Sequence, residues 1–413
     1  MIFNLRFCLL IVPIANNMMP KRHKVKEDEI NGLRLFQPMV KLLRRVHYAG
    51  CERDKAGNRK LHMDEYMLLL LLYMFNPIVV SLRSIQQVST LRKVQRMLGC
   101  PRTSLGSLSE ATMVFDHSLL AEIVGELADQ VKAIPRDARL GDLKQTLTVV
   151  DGSVLPALPK IAWALFRGDG HKAAKLHVQF EVLKGVPVDA EITSANESEK
   201  TVLSRNLKPS RLYVIDRGYA KYGLYQEILD SGSSFVGRLR DNSVYEVMEE
   251  RSLTEADRAE GVVRCVVARL GVKQKRDDLE VPVLIVEVRC TPHRKRSKTG
   301  RGGPEQGERM LLCTDRLDFD AEVVSLIYRR RWAVEIFFRF FKHVLGCRHL
   351  LSHSPEGITL QTYAAILACL LIALWTNRKP TLRTHEMICY YLMGWAEEDE
   401  LLSHINRLKK FDI

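Results

Sequence analysis

The sequence predicts an α/β protein: a mixed five-stranded sheet with flanking helices, interrupted by a β-rich insertion and preceded by a helical N-terminal domain. Three observations carry this prediction. Residues 33 to about 132 repeat apolar side chains at helical spacing. From residue 146, short apolar or alternating runs bounded by turn residues take over. Helical spacing returns from residue 320 to the end.

In the first segment, Leu35, Phe36, Met39, Leu42 and Leu43 recur three and four residues apart, as do Leu68, Leu71 and Leu72 before Pro77 breaks the run. Ser81 is placed to cap a helix starting Leu82-Arg83-Ser84-Ile85, and Ser107-Leu108-Ser109-Glu110 to open another. The run Leu147-Thr148-Val149-Val150 reads as a strand ending at Asp151. Residues 175–182 alternate, Lys184-Gly185 turns the chain, and 186–193 returns. A helix over 197–207 leads to the strand Leu212-Tyr213-Val214-Ile215, which ends at Asp216; a further strand covers 234–239. Three meandering strands, a helix, a strand, a helix and a strand make the element order of an RNase H-like fold. The segment 241–315 then supplies strands at 262–267, 281–288 and 309–313, around a basic, Gly-rich run at 293–303 that reads as a mobile loop.

The chain has 413 residues, 46% of them hydrophobic, enough for a sizeable core spread over two or three domains. The division predicted is a poorly ordered segment 1–32, a helical domain 33–140, an RNase H-like core 141–240 and 316–380, the insertion 241–315, and a helical C-terminal segment 381–413. A formal net charge of +13 favours a polyanionic partner, because each cation that meets a phosphate releases a condensed counterion. A helical packing or dimerisation module fits the first 140 residues nearly as well as a DNA-binding one. The nine cysteines are scattered, with no Cys-x-x-Cys pair, which argues against a disulfide framework or zinc module and for reduced, mostly buried thiols.

Two apolar stretches raise the question of a membrane. Residues 2–15 resemble a short signal core, but Arg6 interrupts them; Met18 and Met19 precede a basic run and mark a candidate start of translation, which N-terminal mass analysis would decide. Residues 358–375 approach the length of a minimal span, yet Thr359, Gln361 and Thr362 lie near their start, so a buried core helix is the reading preferred.

The sharpest local signal runs from Tyr328 to Lys342. At 100° per residue, Tyr328, Arg331, Glu335 and Lys342 fall within about 60° of one another, opposite an apolar face of Val334, Phe337, Phe341 and Val344. On helix geometry alone the simpler reading is an amphipathic helix with an ordinary Arg331–Glu335 pair. Asp151 and Asp216 alter that weighing. Each follows a short apolar strand, and each is followed by a glycine, Gly152 directly and Gly218 two residues on. Either aspartate alone reads equally as a turn residue. Together, placed on neighbouring strands, they repel one another and are stable as a pair when a divalent cation sits between them. A third carboxylate from a helix completes a ligand set for two Mg²⁺ ions, which serve in-line phosphoryl displacement.

These residues resemble the DDE transposases of bacterial insertion sequences, in the insertion-sequence-four group. The group's Tyr-x2-Arg-x3-Glu-x6-Lys signature is matched by Tyr328, Arg331, Glu335 and Lys342; its strand-borne acids by Val149-Val150-Asp151-Gly152-Ser153 and Asp216-Arg217-Gly218-Tyr219. The hairpin from Lys175-Leu176-His177 to Ala190-Glu191-Ile192-Thr193 is also similar, and the resemblance spans about residues 33 to 374. It implies cut-and-paste transposition by a cytoplasmic, nucleoid-associated enzyme. Asp151, Asp216 and Glu335 would be catalytic and would bind two Mg²⁺ (or Mn²⁺) ions; Tyr328, Arg331 and Lys342 would grip phosphates. The partners implied are double-stranded DNA, as terminal inverted repeats and target, and further copies of the chain in a synaptic complex, with no membrane.

The same resemblance makes 241–315 an insertion domain that helps with hairpin geometry. No Trp lies between Asp216 and Trp332 to stack on a flipped base, so Phe235 or Tyr245 is the candidate for that role. His171, Lys172 and Lys175 are candidate phosphate contacts, against the simpler reading of a solvated basic turn. Arg294, Lys295, Arg296 and Lys298 are candidate DNA-backbone contacts, against an idle surface loop. Glu397-Glu398-Asp399-Glu400 reads as a solvated helix face. The alternatives are a catalytically decayed or domesticated DNA-binding protein, an RNase H-like nuclease without strand transfer, and a membrane protein resting on 358–375 alone.

Overall fold

The computed structural model describes residues 37–133, 137–156, 165–166, 171–271, 279–290, 308–345 and 350–407. The segment 1–32 and the basic run 293–303 lie outside them.

Helices α1 (Gln37–Leu43), α2 (Val46–Ala49), α3 (Met63–Phe75), α4 (Leu82–Val88), α5 (Arg92–Leu98), α6 (Leu105–Val114) and α7 (Leu119–Gln130) form the N-terminal region. Ser81 caps α4 as predicted, its Oγ accepting the Ser84 N–H at 3.2 Å. Ser107 opens no helix. Ser104 does, accepting the Ser107 N–H at 3.0 Å, because only a hydroxyl one turn ahead reaches an N–H that lacks an intrahelical partner.

The next elements are β1 (Thr146–Pro156), β2 (Leu165–Phe166), β3 (His171–Glu181), β4 (Val186–Ser194), α8 (Glu199–Arg205), β5 (Arg211–Ile215), α9 (Tyr222–Asp230) and β6 (Ser234–Arg238). Then come β7 (Tyr245–Glu250), α10 (Glu255–Ala259), β8 (Val262–Leu270), β9 (Val283–Arg289) and β10 (Arg309–Thr314). Helices α11 (Ala321–Arg329), α12 (Trp332–His343), α13 (Pro355–Thr376), α14 (Leu382–Leu392) and α15 (Glu398–Arg407) complete the chain.

The five expected strands lie side by side in the order β4-β3-β1-β5-β6, antiparallel across the first three and parallel from β1 to β6. The sheet does not stop there. It continues β10-β9-β8-β7, and with β2 beside β3 it has, among the described residues, ten strands rather than five. Left bare, β6 would expose a row of backbone donors and acceptors; β10 pairs with it antiparallel, so the predicted insertion prolongs the sheet instead of standing apart. Strand β7 escapes sequence reading because Tyr-Glu-Val-Met-Glu-Glu lies largely in solvent and carries no apolar face.

Strand β1 also runs five residues beyond Asp151, because β3 pairs with it from Thr148↔Glu181 through to Pro156↔Ala173. Gly152 is therefore a strand residue, not a turn. Alternation sorts the strands' side chains onto two faces. Leu147, Val149, Leu212, Val214 and Val236 join the larger core under α12 and α13, which runs on without a break into α3 and α7. Val150, Tyr213, Ile215 and Phe235 join a second core under α9 with Leu224, Tyr225 and Ile228. Helix α13 has a mean hydropathy of 2.0 over its most apolar stretch, and 89% of that stretch is buried inside the protein. It is the buried core helix preferred from the sequence. Of the seven described cysteines, all but Cys51 are buried.

Candidate active site

Two aspartates are brought together by strand register. Parallel pairing sets Val149 against Val214. Two residues after these valines, and on their side of the sheet, stand Asp151 within β1 and Asp216 just past the end of β5. Neighbouring strands lie about 4.8 Å apart, so the two carboxylates start from adjacent backbones and project to the face that α12 covers. The Asp151 carboxylate accepts its neighbour's Gly152 N–H at 2.8 Å. Asp216 caps a single 3-10 turn, accepting the Gly218 N–H at 2.6 Å.

Glu335 arrives from α12, which packs Val334, Phe337, Phe340 and Phe341 into the larger core and turns Glu335 toward the strand ends. The helix predicted to run through Tyr328–Lys342 is broken at Arg330 and Arg331, where hydrogen bonds shorten to three-residue spacing. The stripe survives, because both residues keep right-handed helical dihedrals. Arg331 spans two of the acids: its Nη1 lies 3.4 Å from Asp151 Oδ2 and its Nη2 2.5 Å from Glu335 Oε1. Tyr328 lies beside Arg331 and Asp216, its phenol pushed up to about 12, mainly by burial. Lys342 donates to Ser153 Oγ at 2.7 Å and to the Val154 carbonyl at 2.8 Å, clamping β1 just past Asp151. Burial pushes the Lys342 ammonium down.

The electrostatics of the group centre on Asp151. Burial raises its carboxyl to about 7; the Arg331 charge and the Gly152 N–H oppose the rise, while Asp216 and Glu199 add to it. Glu199 was not anticipated. It stands at the start of α8 on the other side of β1, and a Cβ on Gly152 would come within 2.7 Å of its Oε1. A side chain at 152 would have to push the Glu199 carboxylate aside. Nothing in the local pattern around Glu199 distinguishes it from an ordinary first-turn acid.

Not every candidate comes to this face. Lys175 pairs in register with Val154, so its side chain lies on the opposite face, 3.4 Å from Glu199 and donating to the Glu197 carbonyl at 3.2 Å. It sits in a strand, not in a solvated turn. Phe235 cannot stack on a base: it is fully buried, its ring 4.4 Å from that of Tyr225, because an odd position on β6 faces the second core. Tyr245 is partly buried against the same core. The side chains of His171 and Lys172, and all of Arg294, Lys295, Arg296 and Lys298, lie outside the described residues. Beside Asp216 an open hollow is lined by Arg217, Gly218, Arg240, Asp241 and Asn242; both its arginines are exposed, and neither is among the site residues expected from the sequence.

A family model described as the transposase DDE domain matches residues 142–371, more than half of the chain and the stretch that holds all three acids. The chain belongs to the DDE transposase family. Two relatives agree. A Sinorhizobium fredii protein named as transposase y4zB is 26% identical over 287 residues, covering 68% of this chain and 75% of the relative. A Geobacillus stearothermophilus protein named as a transposase for insertion sequence element IS5377 is 24% identical over 278 residues, covering 67% of this chain and 68% of its own length. Among solved structures, the piggyBac transposase synaptic complex with hairpin DNA aligns over 94% of this chain and 83% of its own, at 10% identity and a TM-score of 0.41, too slight a likeness to bear on the fold. The protein is a DNA transposase, an enzyme that cleaves DNA in dependence on a divalent metal ion.

Proposed function

We propose that this transposase moves an insertion sequence by cut-and-paste chemistry on an RNase H-like core, with Asp151, Asp216 and Glu335 as its catalytic acids and the ligands of two Mg²⁺ (or Mn²⁺) ions. The observation that supports the proposal is that Arg331 spans Asp151 and Glu335, while the pairing of β1 with β5 sets Asp216 beside Asp151. An all-oxygen donor set suits a hard divalent cation. A partly buried Asp151 carboxyl raised to about 7 marks a site short of positive charge, which such a cation would supply. When bound, paired ions polarise the attacking and leaving oxygens of an in-line phosphoryl displacement.

The chain's own groups position the DNA. The Arg331 fork, already spanning Asp151 and Glu335, is placed to grip the oxygens of the scissile phosphodiester. Tyr328, held protonated by burial, offers a hydroxyl donor beside it. Lys342 fixes the strand that carries Asp151 and adds positive charge. Hydrolysis at the element's end frees a 3′-hydroxyl, which then attacks a second phosphodiester, in the opposite strand to give a hairpin or in target DNA. Arg217 and Arg240 flank the entrance beside Asp216 and suit backbone contacts, as do Lys172, Arg294 and Arg296 by their charge. Helices α1–α7 would recognise the terminal repeats, within a multimer that brings two ends together. The Tyr328, Arg331, Glu335 and Lys342 spacing supports placement in the insertion-sequence-four group.

The test uses purified full-length protein with pre-cut element-end DNA and a supercoiled target. Strand transfer should require Mg²⁺ or Mn²⁺, and Glu335→Gln should abolish it while end binding persists. Joining without a divalent ion, or undiminished joining by Glu335→Gln, refutes the assignment; cleavage without joining selects a nuclease instead.

A further inference from the structure

Far from the acids, α2 and the start of α3 bring together a second set of metal-type donors. The His47 and His62 rings stack with centroids 3.8 Å apart and planes 14° from parallel. One donor atom each from His47, His62 and Glu65 lies within 4.8 Å of the other two, and among the described residues no other trio of His, Cys, Asp and Glu is so closely set. A tetrahedral ion with bonds of about 2.0–2.2 Å needs its donors roughly 3.3 Å apart and lies in the plane of each imidazole it binds, so one of the two stacked rings turns out of the stack when the ion enters.

The surroundings fit such an ion. Asp64 grips His47 Nδ1 at 2.8 and 3.0 Å, fixing the ring and leaving Nε2 as the nitrogen that could take an ion, the carboxylate–histidine arrangement that orients zinc ligands. His62 Nδ1 is shut off from solvent, makes no hydrogen bond, and stands 3.5 Å from Glu65 Oε2. Glu65 also accepts the His62 backbone N–H at 2.8 Å, which holds its carboxylate at the start of α3. The close approach is built in. A Cβ on Gly50 would come within 2.4 Å of Met63 Sδ and 2.6 Å of Met63 Cβ, so α2 can lie this near α3 only with glycine there.

We propose that His47, His62 and Glu65 bind a structural transition-metal ion of the Zn²⁺ class, separate from the ions of the acidic site. Two imidazoles and one carboxylate suit Zn²⁺ over Mg²⁺, which favours oxygen donors. The ion ties α2 to α3 across the loop 51–61, an exposed stretch carrying Arg53, Lys55 and Lys60, and so holds that basic loop against the helical region.

Full-length protein stripped of metal and titrated with Co²⁺ tests this. One equivalent should bind with the visible absorption of a low-coordinate nitrogen–oxygen site, resist millimolar Mg²⁺, and be displaced by Zn²⁺. Glu335→Gln should keep this equivalent; His62→Ala and Glu65→Gln should weaken it at least about 10-fold. X-ray absorption of the zinc-loaded wild-type protein, which needs no variant to fold, should count two imidazole ligands. No Co²⁺ band in the wild type, a zinc shell without imidazoles, or a band lost in Glu335→Gln but kept in His62→Ala overturns the proposal.

Discussion

Arg331 Nη1 lies 3.4 Å from Asp151 Oδ2, joining α12 to β1 across 180 positions of sequence. In the metal-free protein this guanidinium is the counter-charge that lets Asp151 and Glu335 share one face. Arg331→Ala should leave two partly buried carboxylates facing each other. We expect a loss of roughly 1–3 kcal/mol in stability at pH 7.5, read by chemical denaturation in EDTA. Saturating Mg²⁺ should restore more of that loss than it adds to the wild type. An equal metal effect on both proteins would show that the arginine and the ions do not act on the same charges.

The raised Asp151 carboxyl has a consequence with a definite sign. The folded protein holds this proton more tightly than the unfolded chain, where the value is near 3.8, so metal-free stability falls as pH rises from there through about 7. Asp151→Asn should therefore stabilise the EDTA-treated protein by roughly 1–3 kcal/mol at pH 8 and progressively less toward pH 4, while abolishing strand transfer. Denaturation curves across that range check it; a stabilisation independent of pH would exclude Asp151 as its source.

Gly218 is predicted to act through Asp216. A Cβ there would come within 2.9 Å of Asp216 Oδ1, the atom that accepts the Gly218 N–H. Gly218→Ala should turn the Asp216 carboxylate away. Strand transfer should drop about 10- to 100-fold, in keeping with displaced ligand-orienting contacts, while the melting temperature moves little. Raising Mn²⁺ should recover part of the activity, which a general folding defect would not allow.

Lys342 should behave differently from a phosphate contact alone. It clamps Ser153 and Val154, so Lys342→Met removes both a charge and a strand anchor. The expected result is a fall in strand transfer of about 100-fold, together with a stability loss of roughly 1 kcal/mol measured without DNA. Unchanged stability would mean that the clamp holds nothing in the free protein.

Removal of the divalent ion should abolish cleavage and joining but spare DNA binding, since basic side chains carry the contact with phosphates. Gel-shift and strand-transfer assays in EDTA, followed by Mg²⁺ addition, separate the two. Binding that needs Mg²⁺ as much as joining does would place the ion at the DNA interface.

Local pattern made much of this protein readable in advance. Apolar strand runs ahead of Asp151 and Asp216, the Tyr328-to-Lys342 stripe and the Ser81 cap are all decided within a few residues, by alternation, helical period and backbone hydrogen-bond demand. What lay beyond reach was non-local. Whether Asp151 meets Asp216 depends on the register of β1 against β5, and a slip of one residue would turn each acid to the wrong face. Other pairings decide that Lys175 faces away, through β1 against β3, and that β10 extends the sheet past β6, while Phe235 is buried on the far face of β6. His47, His62 and Glu65 meet only because Gly50 lets two helices touch. Short-range chemistry chose the side chains; burial of apolar faces between distant segments chose their neighbours, because that burial is satisfied only once the whole chain has packed.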